Sequence, residues 1–141
     1  MESAKSQHVF FVKSTDSLGI FPNNTASDFT IELPELLYLK GKWECSLYEI
    51  SFTENLVKDI IVCSDIVENS IIANSKHQVL RVIAQPSTAI RHVSFSQLLW
   101  LPVSRDQIKR FRIFIKDNTT LEPTFISGTV KCTVVVRKAS N

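Results

Sequence analysis

The stretch DFTIEL, residues 28–33, decides the fold class of this chain. Its apolar residues Phe29, Ile31 and Leu33 alternate with polar ones, and successive side chains of an extended backbone point to opposite sides. Such alternation is typical of a β-strand that buries one face and exposes the other. Pro34 follows directly, and because proline has no N–H to donate to a strand ladder, we expect the strand to end there.

Similar runs recur along the chain, separated by predicted turns at 16–19, 21–24 and 117–120. They cover residues 8–13, 42–52, 59–66, 79–84, 95–103, 109–116 and 129–137. Within 42–52 the apolar positions change side, which predicts either a central strand or a bulge. Pro102 makes 95–103 a candidate edge strand. Residues 104–109 carry a signal for one short helical turn, with Ser104 as its cap.

These runs predict about eight antiparallel strands, and hence an all-β sandwich that is a jelly roll or a related fold. The length of 141 residues suits a single domain over 1–141, with residues 1–7 as a flexible N-terminal tail. Three glycines and nine phenylalanines indicate well-filled strands with few glycine turns. Gly128 is expected to permit the turn into the last strand.

Composition and charge argue against several functional classes. A net charge of +2 is smaller than the strongly basic balance of most nucleic-acid-binding domains. The sequence has no apolar run of about 18 residues, so we expect no membrane span. The N-terminus lacks the apolar stretch of a secretory signal. Cys45, Cys63 and Cys132 each lie in an apolar run, which predicts reduced, buried thiols in an intracellular protein.

Residues for catalysis or metal binding are not evident. His8, His77 and His92 share no metal-ligand spacing, and the sequence contains no nucleophile elbow, P-loop or dinucleotide motif. We therefore expect no enzyme activity, no cofactor and no metal.

Several carboxylates are placed by the strand alternation. Glu32 and Glu44 are expected on solvent faces. Glu49 shares a predicted face with Trp43 and Leu47, so we expect it at a strand end or paired with an arginine.

Two segments are candidates for protein contacts. Four cations lie along 109–116, and three interpretations of them are open: a stripe that contacts phosphates, a solvated strand face, or a contact for an acidic partner. Phe114 lies among these cations, and an aromatic residue flanked by arginines is typical of a protein interface. The run LLWL, residues 98–101, is either core or interface. The predicted interface residues are Phe114, Arg110, Arg112, Trp100, Leu101 and Pro102.

Three groups of short motifs extend across the chain from Phe10 to Arg137. The first group is Phe21-Pro22-Asn23-Asn24-Thr25, Asp28-Phe29-Thr30, Leu33-Pro34, Leu39, Gly41-Lys42-Trp43-Glu44-Cys45, Leu47 and Glu49-Ile50. The second is Val62-Cys63-Ser64-Asp65-Ile66-Val67-Glu68 and Leu80-Arg81-Val82. The third is Leu101-Pro102-Val103-Ser104, Phe111-Arg112-Ile113, Asp117-Asn118, Pro123-Thr124-Phe125, Ser127-Gly128 and the final valine-rich strand.

In this order and spacing the motifs resemble a capsid-associated protein family of Polinton (Maverick) elements and adintovirus-like genomes, which are adenovirus relatives. Family members often have extra sequence before the Cys63-Ser64-Asp65 motif, and their aspartate-glycine turn is replaced here by residues 117–120. The resemblance implies a virion structural protein of penton-like, cement or vertex-decoration type, without catalytic residues. The length also fits a small genus-specific adenovirus capsid protein, such as a left-end protein of atadenoviruses.

A capsid role predicts a closed homo-oligomer, a trimer or a pentamer, in contact with other capsid proteins. The protein would be assembled inside the host cell, in the nucleus, and carried in the virion. An alternative is a receptor- or glycan-binding viral β-sandwich that uses the loops 23–25 and 118–120. A nucleic-acid-binding sandwich that uses residues 109–116 is a third hypothesis, and a hydrolase has the least support.

Overall fold

The computed structural model describes residues 6–84 and 90–139, and within these ranges the chain forms eleven β-strands and no helix. The strands are β1 (Gln7–Lys13), β2 (Asp28–Tyr38), β3 (Trp43–Leu56), β4 (Ile60–Ser64), β5 (Ser70–Ile72), β6 (Ser75–His77), β7 (Val79–Ile83), β8 (Ile90–Ser94), β9 (Leu101–Pro102), β10 (Gln107–Asp117) and β11 (Val130–Lys138). The described part of the chain accordingly has no long apolar helix that could cross a membrane. β1 begins inside the predicted tail, whose residues 1–5 lie outside the described ranges.

Two large antiparallel sheets contain nine of these strands. The first sheet has the order β1-β11-β3-β8, with β9 also beside β3, and the second has the order β2-β10-β4-β7. β5 and β6 form a separate hairpin. The predicted all-β sandwich is confirmed. The structure has three strands more than the predicted eight, and the three shortest, β5, β6 and β9, have only two or three residues each.

One hydrophobic core lies between the two large sheets. The predicted inward residues of β10, which are Phe111, Ile113 and Ile115, are all buried in it. The rings of Phe10 on β1 and Phe111 on β10 lie 5.4 Å apart and join the two sheets directly. Burial of one such large side chain contributes about 1.5–3 kcal/mol.

β3 is both a central strand and a bulged one. Leu47 is opposite Val134 and Glu49 is opposite Thr133, so Tyr48 is the extra residue of a bulge. The bulge reverses the alternation, and Glu49 points outward instead of sharing a face with Leu47. The prediction that Glu49 pairs with an arginine is wrong. The Glu49 carboxylate instead lies 3.8 Å from His92 Nε2 and accepts a hydrogen bond from Thr133 Oγ1 at 3.3 Å.

Pro34 does not end β2, contrary to the prediction. The strand continues to Tyr38 because β2 is an edge strand, and within the described ranges it pairs only with β10. A register shift between Ile108 and Arg110 lies opposite this part of β2. A proline is tolerated where its missing N–H points away from the neighbouring strand.

Two predictions for residues 95–109 are also wrong. Of the segment 95–103, only Leu101 and Pro102 form a strand, which pairs with Cys45 and Glu44 of β3. The short helical turn at 104–109 is absent because Gln107 already belongs to β10, whose hydrogen bonds with β2 fix an extended backbone.

The predicted turns and thiols are confirmed. The Asp117 carboxylate accepts hydrogen bonds from the backbone N–H groups of Thr119 and Thr120, at 2.7 and 3.1 Å. These bonds lower the pKa of Asp117. The thiols are free and buried, and they belong to Cys45, Cys63 and Cys132.

Candidate interaction surfaces

The first three predicted interface residues, Arg110, Arg112 and Phe114, lie on the outer face of the second sheet. Arg112 donates two hydrogen bonds to the carboxylate of Asp28, at 2.8 and 2.7 Å. These bonds raise the pKa of the Arg112 guanidinium. The guanidinium carbon of Arg112 also lies 4.1 Å from the centroid of the Phe114 ring. Phe114 is half-buried because it packs against a small outer cluster, which comprises Ile61, Cys63 and Val79.

The other cations of β10 also have partners within the chain. Arg110 Nε lies 3.1 Å from Glu32 Oε1, and Lys109 donates a hydrogen bond to the Leu33 carbonyl. Lys116 Nζ lies 3.1 Å from His77 Nδ1. A phosphate backbone would have to displace these internal contacts, which weakens the nucleic-acid hypothesis.

The second group of predicted interface residues is on the first sheet, so the six residues do not form one surface. Trp100 lies beneath the Arg137 guanidinium, whose carbon is 3.5 Å from the ring centroid, and the rings of Trp100 and Tyr48 form a T-shaped pair. Leu101 packs against the main core and Pro102 is exposed. The run LLWL thus divides, with Leu101 as core and Leu99 exposed.

A contact between Ser75 and His77 resembles part of a hydrolytic site but has the wrong polarity. Ser75 Oγ lies 2.6 Å from His77 Nε2, and Lys116 Nζ lies 3.1 Å from His77 Nδ1. A lysine ammonium can only donate, so Nδ1 must accept and Nε2 must carry the proton. The ring then cannot take the hydroxyl proton of Ser75. The described residues also contain no group of three metal-ligating side chains.

The loops of the glycan hypothesis are engaged in structural contacts. The Asn24 side-chain amide donates to the Thr30 carbonyl at 2.9 Å and accepts from the Thr30 N–H at 3.0 Å. Trp43 is buried, and its indole N–H donates to the Lys40 carbonyl. The Arg137 guanidinium covers one face of the partly buried Trp100, which leaves little aromatic surface for stacking on a sugar.

The edge of β1 is a surface that we did not predict. Among the described strands β1 pairs only with β11, and Val9 and Phe11 on its outer face are 40% and 77% exposed. A groove with a volume of about 530 Å³ runs between β1 and β2. The alternation of residues 8–13 indicates that Val9 and Phe11 point away from Phe10 and Val12, but the sequence does not show which strand lies at a sheet edge.

No family model matches this sequence, and no curated protein matches it.

Proposed function

We propose that the chain is a structural component of a virus particle, a minor capsid, cement or vertex-associated protein that acts through protein–protein contacts. The strand order supports this best. Eight strands remain when the three shortest, β5, β6 and β9, are left out. The first and last of these eight, β1 and β11, are neighbours, and so in turn are the pairs nested inside them, β2 with β10, β3 with β8, and β4 with β7. This nested order is expected of a jelly roll, the architecture of viral capsid and lectin domains.

The surface chemistry adds support, because a fold alone does not determine function. The described residues combine exposed apolar side chains, such as Phe11 and Phe125, with arginines that are held by carboxylates. Aromatic and arginine residues are enriched at protein interfaces. The resemblance to capsid-associated proteins points the same way, and the protein would then be carried in the virion.

The alternative is a receptor- or glycan-binding module on the same scaffold, since lectins share the jelly roll. It has less support because Trp43 is buried, one face of Trp100 is covered by Arg137, and Asn24 is bound to Thr30. Binding on a glycan array that is lost on mutation of residues 118–120 would favour this alternative over a purely structural role.

Light scattering after size exclusion tests the proposal on the purified chain. We expect a trimer or a pentamer, a trimer for a cement-like role and a pentamer for a penton-like role. Pro102→Arg should weaken assembly if the β9 side is an interface, whereas Pro123→Arg, at another exposed proline, should not. If the unsubstituted chain and both variants are monomeric at tens of micromolar, that result would contradict self-assembly.

A further inference from the structure

The backbone of β1 has three residues whose polar groups point away from its only described neighbour. The N–H of Ser14 donates to Val130 and the N–H of Lys138 donates to the carbonyl of Ser6, so even-numbered residues of β1 face β11. The outward groups therefore belong to Gln7, Val9, Phe11 and Lys13. Those of Lys13 are bound to Asp16, which leaves Gln7, Val9 and Phe11 as an open edge.

The neighbouring edge of the second sheet is closed, which makes the open one notable. On β2, the outward groups of Thr30 are bound by the Asn24 amide, and the N–H of Glu32 donates to Ser17 Oγ. Pro34, the next outward position, has no N–H at all. Proteins commonly protect sheet edges in these ways against pairing with another chain. β1 lacks such protection over its middle residues within the described part of the chain.

The groove between β1 and β2 lies where an added strand would lie. Its lining includes the free edge of β1 and the side chains of Leu33, Pro34 and Leu37 on β2. An extended segment would accept and donate hydrogen bonds at Gln7, Val9 and Phe11. Its outer side chains would cover the exposed ring of Phe11.

The charges on the outer face, at the Lys13 end of the edge, indicate the chemistry of the segment there, whereas the groove itself is lined by the carboxyl groups of Asp16, Glu32 and Glu35 and suits uncharged side chains. Lys13 and Lys131 are directly opposite each other in the register, both are exposed, and neither forms an ion pair with a described residue. Like charges at opposed positions destabilise a sheet, and an acidic neighbour would relieve this cost. A second β1 would bring another Lys13 and no carboxylate of its own strand, so a second copy suits the site less well.

We propose that the open edge of β1 binds an extended segment of a partner protein that carries an apolar residue and, two positions along on the same face, an acidic residue. The segment adds a strand to the first sheet, places an apolar side chain on Phe11 and a carboxylate near Lys13 and Lys131. This names a kind of partner beyond the proposed function, and it does not depend on a viral origin of the chain.

The test is a selection of random nonapeptides displayed on messenger RNA, with the purified full chain as target. We expect enriched peptides that carry an apolar and an acidic residue two positions apart and that bind less tightly as salt is raised. Val9→Pro removes an outward N–H and leaves the pairing with β11, and it should reduce binding of the enriched peptides at least tenfold. Pro123→Ala, outside the site, should leave binding unchanged.

A second variant protects the test against a folding defect in Val9→Pro. Lys13→Gln combined with Lys131→Gln alters only exposed side chains and should also weaken binding, most strongly at low salt. Enriched peptides without acidic residues, or binding that both variants leave intact, would overturn the proposal. A dimer that Val9→Pro disrupts would also overturn it, because the edge would then belong to a second copy. Failure here leaves the trimer or pentamer measurement unaffected.

Discussion

At the scale of single residues, Gly128 has a backbone that other residues adopt only with strain. Its φ of +81° lies in the left-handed region, and a Cβ atom there would collide with Thr53 Oγ1. That hydroxyl accepts a hydrogen bond of 2.7 Å from the N–H of Thr129, at the entrance to β11. The contact explains why the chain needs glycine where the last strand begins.

Gly128→Ala should therefore lower the free energy of unfolding by about 2 kcal/mol or more. Denaturant titration followed by tryptophan fluorescence measures this. Gly19→Ala is the matched control, since a Cβ atom at Gly19 meets no atom within 4 Å; its effect should be under about 0.5 kcal/mol. Equal stabilities of the two variants would contradict the collision with Thr53.

Side-chain partners were the least predictable residue-scale feature. The alternation in 109–116 correctly placed Phe111 inside and Arg110 and Arg112 outside. The carboxylates that hold these arginines, Glu32 and Asp28, come from β2, far away in the sequence. No local pattern contains that pairing, because it depends on which strands become neighbours.

At the scale of elements, β2 depends on the loop that precedes it. The Asn24 amide makes the two hydrogen bonds with Thr30 that a neighbouring strand would otherwise make. It thus ends the second sheet at this edge with a side chain. A turn was predicted at 21–24, but its role in closing the sheet could be recognised only from the pairing of β2 with β10.

Asn24→Ala should lower the free energy of unfolding by about 1–2 kcal/mol, because two partly buried hydrogen bonds are lost together. Asn23→Ala, at an exposed neighbouring position, is the control and should change it by under about 0.5 kcal/mol. Hydrogen exchange at the Thr30 amide gives a local measurement. Its protection should fall in Asn24→Ala, and unchanged protection would show that the amide does not close the edge.

Strands were predicted correctly where one face is buried. The prediction failed where the ends of a strand are determined by its pairing with a neighbouring strand. The alternation in 28–33 and 109–116 gave the start of β2 and both ends of β10 to within about two residues. The predicted end of β2 is too early because a proline is tolerated in an edge strand. Whether a strand lies at the edge depends on how the sheet is assembled, and the local sequence around Pro34 does not contain that information. The segment 95–100 was taken as strand because its apolar residues resemble core.

At the scale of the whole molecule, one core joins the two sheets. Phe111 is fully buried and contacts Phe10 of the opposite sheet. Truncation of such a ring leaves a cavity that a sandwich with strands fixed on both sides cannot fill.

Phe111→Ala should reduce the free energy of unfolding by about 3–5 kcal/mol. Phe125→Ala removes a ring that is 70% exposed, so it should change stability by less than about 0.5 kcal/mol. Calorimetry of both variants makes the comparison. Similar unfolding temperatures for the two would mean that Phe111 does not bridge the sheets.

The three thiols report on opening of the whole sandwich. Burial raises the pKa of Cys45 and of Cys132 to about 12, and it raises the pKa of Cys63 to about 11. Cys45 and Cys132 belong to the main core between the sheets, whereas Cys63 belongs to the outer cluster with Phe114. In the unfolded chain all three titrate near about 8.5.

Stability should consequently be unaffected by the thiols below about pH 8 and fall as the pH rises, because only the unfolded chain then loses the protons. The fall should continue up to the folded pKa values, and a variant with valine at all three cysteines should show a weaker decline. Aromatic disulfide reagents at pH 8 should modify Cys63 first and the two core thiols only at the rate of global unfolding. Rapid modification of Cys45 or Cys132 in the folded protein would mean that the space between the sheets opens locally, which a continuous core does not permit.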